Sequence, residues 1–326
     1  MIPFNEEQQR LLNNLSQYYD AWLAHARPLH DEYADRLQWK TVADKQYLYR
    51  IVDRKGNGTS LGPKSAATEA EFARYTTERD KFRAGARAAK SRLVVAGSLY
   101  RALRLPVIAN PAAAILREAD LRGMLDGALL VVGTNALAAY ELEAGARFAA
   151  GLDATEDFDL SWSGDAVTTL ALQGAATQGV FNLLKAVDDT YTINTERSFQ
   201  ARNRGAYAVE LLCSPRTAGH LAPGEKLSPL PLPSQAWLLA GQPVRQIVCA
   251  RDGSVARIAA PDPRLFALHK LWLSKQKSRE RLKRGKDQAQ GEVLLKAIKT
   301  NMLHYPLNKA FLNKLPDELG RQLADS

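Results

Sequence analysis

The sequence predicts an α+β protein. Long stretches of helical apolar spacing stand towards both ends of the 326-residue chain, and a middle region of about residues 128–212 carries short strand-like runs. An Asp-Gly turn between two apolar runs then marks an antiparallel hairpin. Hydrophobic residues make up 46% and charged residues 24%, which excludes a disordered, collagen-like or disulfide-scaffold chain.

The elements follow in order. Leu11, Leu12, Leu15, Tyr18, Tyr19, Trp22 and Leu23 lie at helical spacing within a helix over 5–35. Asn5 caps it, with Glu6 and Glu7 in the first turn. A short extended piece holds Tyr47, Leu48, Tyr49 and Ile51, and the Gly/Asn/Ser/Pro-rich stretch 56–63 reads as turn. A long helix spans about 67–103 and a short one 111–121. Ala128-Leu-Leu-Val-Val is a buried strand ending in Gly133-Thr134, followed by a helix from Asn135 to about Ala146. Residues 158–162 form an alternating strand, 181–187 a helix, and 191–194, 198–203 and 207–212 three more strands. The Pro-rich stretch 215–233 reads as linker or surface loop. Residues 244–250 and 255–259 pair as a hairpin across Arg251-Asp252-Gly253-Ser254. Asp262-Pro263 then opens a helix, and the remainder is helical and basic. The expected regions are a mostly helical 1–124, a core over 125–215, and a hairpin with basic helices over 216–326.

Charge is concentrated. The net charge is +9, and residues 264–314 hold 13 Lys and Arg against 3 Asp and Glu. A polyanion such as nucleic acid or a nucleotide phosphate is therefore expected there. Cys213 and Cys249 sit in apolar runs and read as buried thiols in a reducing compartment. The acidic N-terminus has no apolar signal core, and the uncharged run 166–184 is too polar for a membrane span. A soluble cytoplasmic protein with no membrane partner is expected.

The chemistry points to carboxylates. Asp157 and Asp159, at i and i+2 of one strand, share a face, with Phe158 buried opposite. Adjacent like charges repel unless a cation lies between them, and hard cations such as Mg²⁺ or Mn²⁺ take such oxygens together with substrate phosphates. Glu210 lies amid apolar residues on another strand, costly there unless paired or metal-bound. If that strand lies beside the first, three carboxylates converge, an arrangement suited to metal-assisted phosphoryl transfer. Taken singly, each piece reads as a solvated strand residue or a plain turn; their order and spacing favour a site. By contrast, Gly58-Thr-Ser-Leu-Gly-Pro-Lys-Ser65 is no P-loop, since Pro63 removes an N–H and the spacing is wrong. The five histidines show no metal spacing.

Val131-Val-Gly133-Thr134-Asn-Ala-Leu137, followed by Thr155-Glu-Asp157-Phe-Asp159-Leu160, resembles the nucleotidyltransferase superfamily that includes DNA polymerase beta. The motifs Tyr47–Arg50, Ser60–Pro63, Ala136–Glu141 and Phe266–Leu271 are similar to those of a bacterial nucleotidyltransferase-like family, over about residues 39–300. The C-terminal helices look like those of the toxin and abortive-infection branch. The resemblance implies a palm-like core, an NTP substrate such as ATP, and bound Mg²⁺ or Mn²⁺. Gly133 and Thr134 match the phosphate-contacting turn, Asp157 and Asp159 the metal pair, and Glu210 the third acidic residue and base. Lys270 and Lys286 match the groups that neutralise the triphosphate. Lys275, Lys277, Arg279 and Arg281 read instead as solvated surface cations or a diffuse RNA contact. The expected reaction moves an NMP group to a hydroxyl of RNA such as tRNA, a protein or a small molecule, releasing pyrophosphate. The alternatives are a non-catalytic nucleic-acid-binding protein or a nucleotide sensor on the same scaffold.

Overall fold

A computed structural model describes the chain except for residues 54, 149–150, 153–156, 164–178, 221–224 and 325–326. Most of the uncharged run 166–184, and Thr155 and Glu156 of the acidic motif, lie outside the described residues. The chain forms two compact units, one of Leu15–Val95 and one of Met1–Asn14 with Ala96–Ser326.

Helix α1 covers Glu6–Asp31 and opens with a capping box, in which Asn5 Oδ1 accepts from Gln8 N while Asn5 N donates to Gln8 Oε1, both at 2.9 Å. In the smaller unit, α1 residues Leu15, Tyr19, Leu23 and Ala26 are buried at helical spacing. An antiparallel sheet follows, formed by β1 (Arg36–Val42), β2 (Lys45–Ile51) and β3 (Gly58–Pro63). The sequence reading anticipated only the middle strand. Gly58 is required in β3 because a Cβ there would lie 2.1 Å from the carbonyl oxygen of Arg50. Its composition signals a turn, but it is an edge strand. Helix α2 (Ala66–Ala102) brings Phe72 against Trp39, and Phe82 against Tyr33 and His25.

The larger unit holds the chemistry. After β4 (Val107–Ile108) and α3 (Asn110–Leu121) comes β5 (Leu129–Val132), buried at every residue as its apolar run requires. It leads through Gly133 into α4 (Leu137–Ala144). Then come β6 (Asp157–Trp162), α5 (Val180–Val187), β7 (Thr192–Ile193), β8 (Gln200–Arg202) and β9 (Ala208–Cys213). The sheet order is β5-β6-β9-β8-β7. Strands β6 and β9 are parallel, while β5 pairs antiparallel with β6. The Pro-rich stretch is more than a loop: β10 (Leu230–Pro231) pairs parallel with β9 at Leu212 and Cys213. It is followed by the short helix α6 (Gln235–Leu238).

The hairpin forms as expected from β11 (Val244–Ala250) and β12 (Val255–Ala260), with Gly253 at φ +87 in its turn. Helices α3 and α4 pack on it. Asp262 caps α7 (Pro263–Ser274) by accepting from Arg264 N at 2.9 Å, with Pro263 at the first helical position. The basic helix α8 (Arg281–Asn301) packs on α7, meeting it at Asp287 and Gly291. A Cβ at Gly291 would stand 2.7 Å from Leu271 Cγ, so glycine sets how closely the two helices approach. The short helices α9 (Lys309–Leu312) and α10 (Asp317–Ala324) end the chain. Both cysteines are free and buried, and burial pushes both thiols up, Cys249 to about 12. Among the described residues no helix is long and apolar enough to cross a membrane.

Candidate active site

The register of the central sheet brings the acidic residues together. Glu210 on β9 pairs with Asp159 on β6, and Val132 of β5 pairs with Asp159 from the other side. Neighbouring strands lie about 4.8 Å apart, and paired residues project from the same face. Asp157, two residues before Asp159, shares that face, while Phe158 is fully buried on the other. The condition that β9 lie beside β6 is therefore met.

Gly133 has φ +69 and ψ −157, a conformation open essentially to glycine alone. A Cβ there would stand 2.0 Å from Asp159 Oδ2, so the turn after β5 and the carboxylate are built against each other. Asn135 Nδ2 donates to the Asp157 carbonyl at 2.9 Å, tying the start of α4 to β6. Thr134 is nearly buried, and its hydroxyl accepts from Gln290 Nε2 of α8 at 3.3 Å. Glu210 Oε1 accepts from Gln200 Nε2 at 2.8 Å.

Electrostatics follow from the crowding. Asp159 is pushed up to about 6, first by burial and then by the charges of Glu210 and Asp157, while Lys270 and Arg279 oppose the rise. Lys270 itself is buried on α7, with its Nζ 2.8 Å from Asp287 Oδ1 and 5.4 Å from the centre of the Phe266 ring. Burial draws the ammonium below its ordinary range, and Asp287 and Asp159 draw it back. Arg279 Nε lies 2.6 Å from Asp287 Oδ2, so a single buried carboxylate holds two cations. Burial raises Asp287, but Lys270 and Arg279 outweigh it and leave the group below the usual carboxylate range.

The acidic residues, the Gly133-Thr134 turn, and Lys270 and Arg279 with Asp287 line one cleft of about 390 Å³, within the ordinary range of small-molecule sites. Gly133, Thr134, Asp157, Asp159, Glu210, Lys270 and Lys286 all contribute to it. Every residue singled out in the sequence is thus in the same place. Arg279, read from the sequence as a solvated cation, lines the cleft instead, because Asp287 turns it inward. The sequence reading also missed Gln200 and Gln235, whose neighbours in the chain carry no motif, and gave no role to His269, although it lies within the Phe266–Leu271 motif. An alternating polar residue opposite Glu210 was the one available signal, and it picks out Gln200.

Oxygen-only donors from two paired strands crowd on one face of the sheet, and burial with mutual repulsion raises Asp159; a hard cation relieves both. The residues therefore fit Mg²⁺ or Mn²⁺. As the side chains stand, however, no group of three or more His, Cys, Asp and Glu among the described residues is already arranged to hold a metal ion. Glu210 is engaged with Gln200, and Asp159 lies against Gly133.

A family model described as nucleotidyltransferase covers residues 110–316, from α3 through α9. Neither the curated proteins nor the solved structures include a significant match.

Proposed function

From the chain's membership of the nucleotidyltransferase family, we propose that it transfers an NMP group from an NTP to a hydroxyl acceptor with release of pyrophosphate, using Mg²⁺ or Mn²⁺. The observation that carries this reading is the Glu210–Asp159 pairing across parallel β6 and β9, with Asp157 on the same face.

Asp157, Asp159 and Glu210 would hold the cation. Bound there, it supplies Lewis-acid polarisation of the phosphoryl oxygens and lowers the mutual repulsion of the carboxylates. The chain's own residues supply the rest. Gly133 lets backbone approach the phosphates without a Cβ in the way, and Thr134 offers a backbone N–H and a hydroxyl. Lys270 and Arg279, held by Asp287, stabilise negative charge that builds on the transferring phosphoryl group. Lys283 and Lys286, also lining the cleft, balance the leaving pyrophosphate. Glu210 takes the proton of the attacking hydroxyl, with the Gln200 amide holding its carboxylate in place. The acceptor is an RNA such as tRNA, a protein hydroxyl or a small molecule; the cations at the cleft favour a polyanionic acceptor.

The test is to incubate the protein with NTP labelled in either the α or the γ phosphate, with Mg²⁺ and cell RNA or lysate. The expected result is α-label in the acceptor and one pyrophosphate released per transfer. Transfer of γ-label, or release of inorganic phosphate alone, contradicts the assignment.

A further inference from the structure

Most polar groups of the cleft are engaged within the protein, but two stand out. Gln235 Oε1 and His269 Nε2 are buried and have no hydrogen-bond partner among the described residues. The residues are 3% and 5% exposed, and both line the cleft. A buried polar atom without a partner costs about 1–3 kcal/mol, and native proteins keep few of them. Two in one cleft, on different helices, point to a ligand that completes both.

The surroundings restrict what that ligand is. Gln235 stands one turn before Leu238 on α6, and Leu230 and Leu232 just ahead of it line the same cleft. On α7, Phe266, His269, Lys270 and Leu273 follow i, i+3, i+4, i+7 spacing and form one stripe along the cleft. The His269 ring stacks on Trp272, with centroids 5.8 Å apart and planes at 22°, and meets Trp237 edge-on at 6.3 Å. Its orientation is therefore held by packing. Burial, reinforced by Lys270, pushes its imidazole down to about 3, so it is neutral at physiological pH.

Neither group suits a phosphate. An amide oxygen repels phosphate oxygens, and a neutral imidazole offers no charge to them. Gln235 Oε1 needs a hydrogen-bond donor, presented by something whose faces tolerate leucine and phenylalanine. A nucleobase has this chemistry: flat apolar faces and N–H groups on its edge. The triphosphate belongs with the cations of α7, α8 and the segment between them.

Building on the nucleotidyl-transfer reading above, we propose that Gln235 and His269 read the base of the NTP. Gln235 Oε1 accepts an N–H from the base edge, the same amide carries donors for an adjacent ring nitrogen or carbonyl, and His269 Nε2 makes a second polar contact. These two residues then set which NTP is used.

The experiment measures binding of the four NTPs and their 2′-deoxy forms, with Mg²⁺, by calorimetry, alongside nucleotidyl transfer. It compares the wild type with Gln235→Leu, Gln235→Glu and His269→Phe. The wild type should prefer one base. Gln235→Leu should weaken that preference roughly tenfold, the worth of one hydrogen bond, and leave the ratio of ribo to deoxy binding unchanged. Gln235→Glu, which only accepts, should reorder the preference. Without nucleotide, Gln235→Leu should melt no lower than the wild type, since it removes an unpaired buried amide oxygen; this serves as the folding control. Equal binding of all four bases by the wild type overturns the proposal, as does an unchanged base preference in both Gln235 variants. A change confined to the ribo-to-deoxy ratio also overturns it, placing the ribose there instead. Base-selective binding lost in the variants but with no transfer by the wild type upholds base reading and refutes nucleotidyl transfer.

Discussion

Asp159 stands where burial and charge conflict. Its carboxyl is raised from 3.8 to about 6 by burial and by Glu210 and Asp157. A carboxyl with a raised folded-state pKa stabilises the fold at acid pH, and that contribution fades as pH rises through the folded-state value. In metal-free protein this carboxyl should therefore cost the fold about 1–2 kcal/mol, after allowance for solvent screening, as pH rises from about 4 to 6; buried His269, pushed down to about 3, gives the opposite trend over that range, so the Asp159 part is read as the difference between wild type and Asp159→Asn. Asp159→Asn should abolish this loss and melt higher than the wild type at pH 7 in a chelating buffer, as thermal melts over a pH series will check. The three acidic residues were legible in the sequence because strand alternation alone puts Asp157 and Asp159 on one face, and because a lone Glu within an apolar strand needs a reason. Gln235 and His269 were not legible. Their significance lies in what they fail to contact, which no sequence pattern records. Arg279 was misread for a related reason: a cation in a basic run looks solvated until the fold places a buried carboxylate beside it.

At the scale of elements, the site depends on two pairings. Parallel β6 and β9 align Glu210 with Asp159, and α7 against α8 places Lys270 and Arg279 on Asp287. Truncating Asp287 leaves the Lys270 ammonium buried without its partner, a change that typically costs 3–5 kcal/mol, so Asp287→Ala should be destabilised by about that much. The double variant Lys270→Met with Asp287→Leu should recover most of the lost stability but none of the activity. Denaturant unfolding of both variants checks the first point and a transfer assay the second. The helices, the hairpin and the strand β5 were readable because long periodic runs and an Asp-Gly turn are strong local signals. Strands β1, β3 and β10 were not read. Gly58, Gly62 and Pro63 in β3 and Pro231 in β10 signal turns, and their strand conformation comes from pairing with β2 and β9, which local composition does not reveal. Strand register, which decides whether the carboxylates meet, was also beyond the sequence, since it is a property of the whole sheet.

Over the whole molecule, the +9 charge resolves into a local arrangement. Cations of α7, α8 and the segment joining them face a strand-borne acidic cluster across one cleft in the larger unit. The family match spans this same region, residues 110–316, whereas the smaller unit lies outside it. The α+β class was legible because helical spacing towards both ends and short strand runs in the middle are local signals, and the family because the Gly-Thr turn and the acidic pair lie close together in the chain. The central claim is that the carboxylate cluster works as one metal-dependent transfer centre. The most direct measurement is Mg²⁺-dependent pyrophosphate release from NTP by wild type, Asp157→Asn, Asp159→Asn and Glu210→Gln, each shown to be folded by circular dichroism. The account predicts release by the wild type, its loss on chelation, and a fall of at least about a hundredfold in every variant. Undiminished release by folded Asp159→Asn, or release by the wild type that persists in chelator, would contradict it.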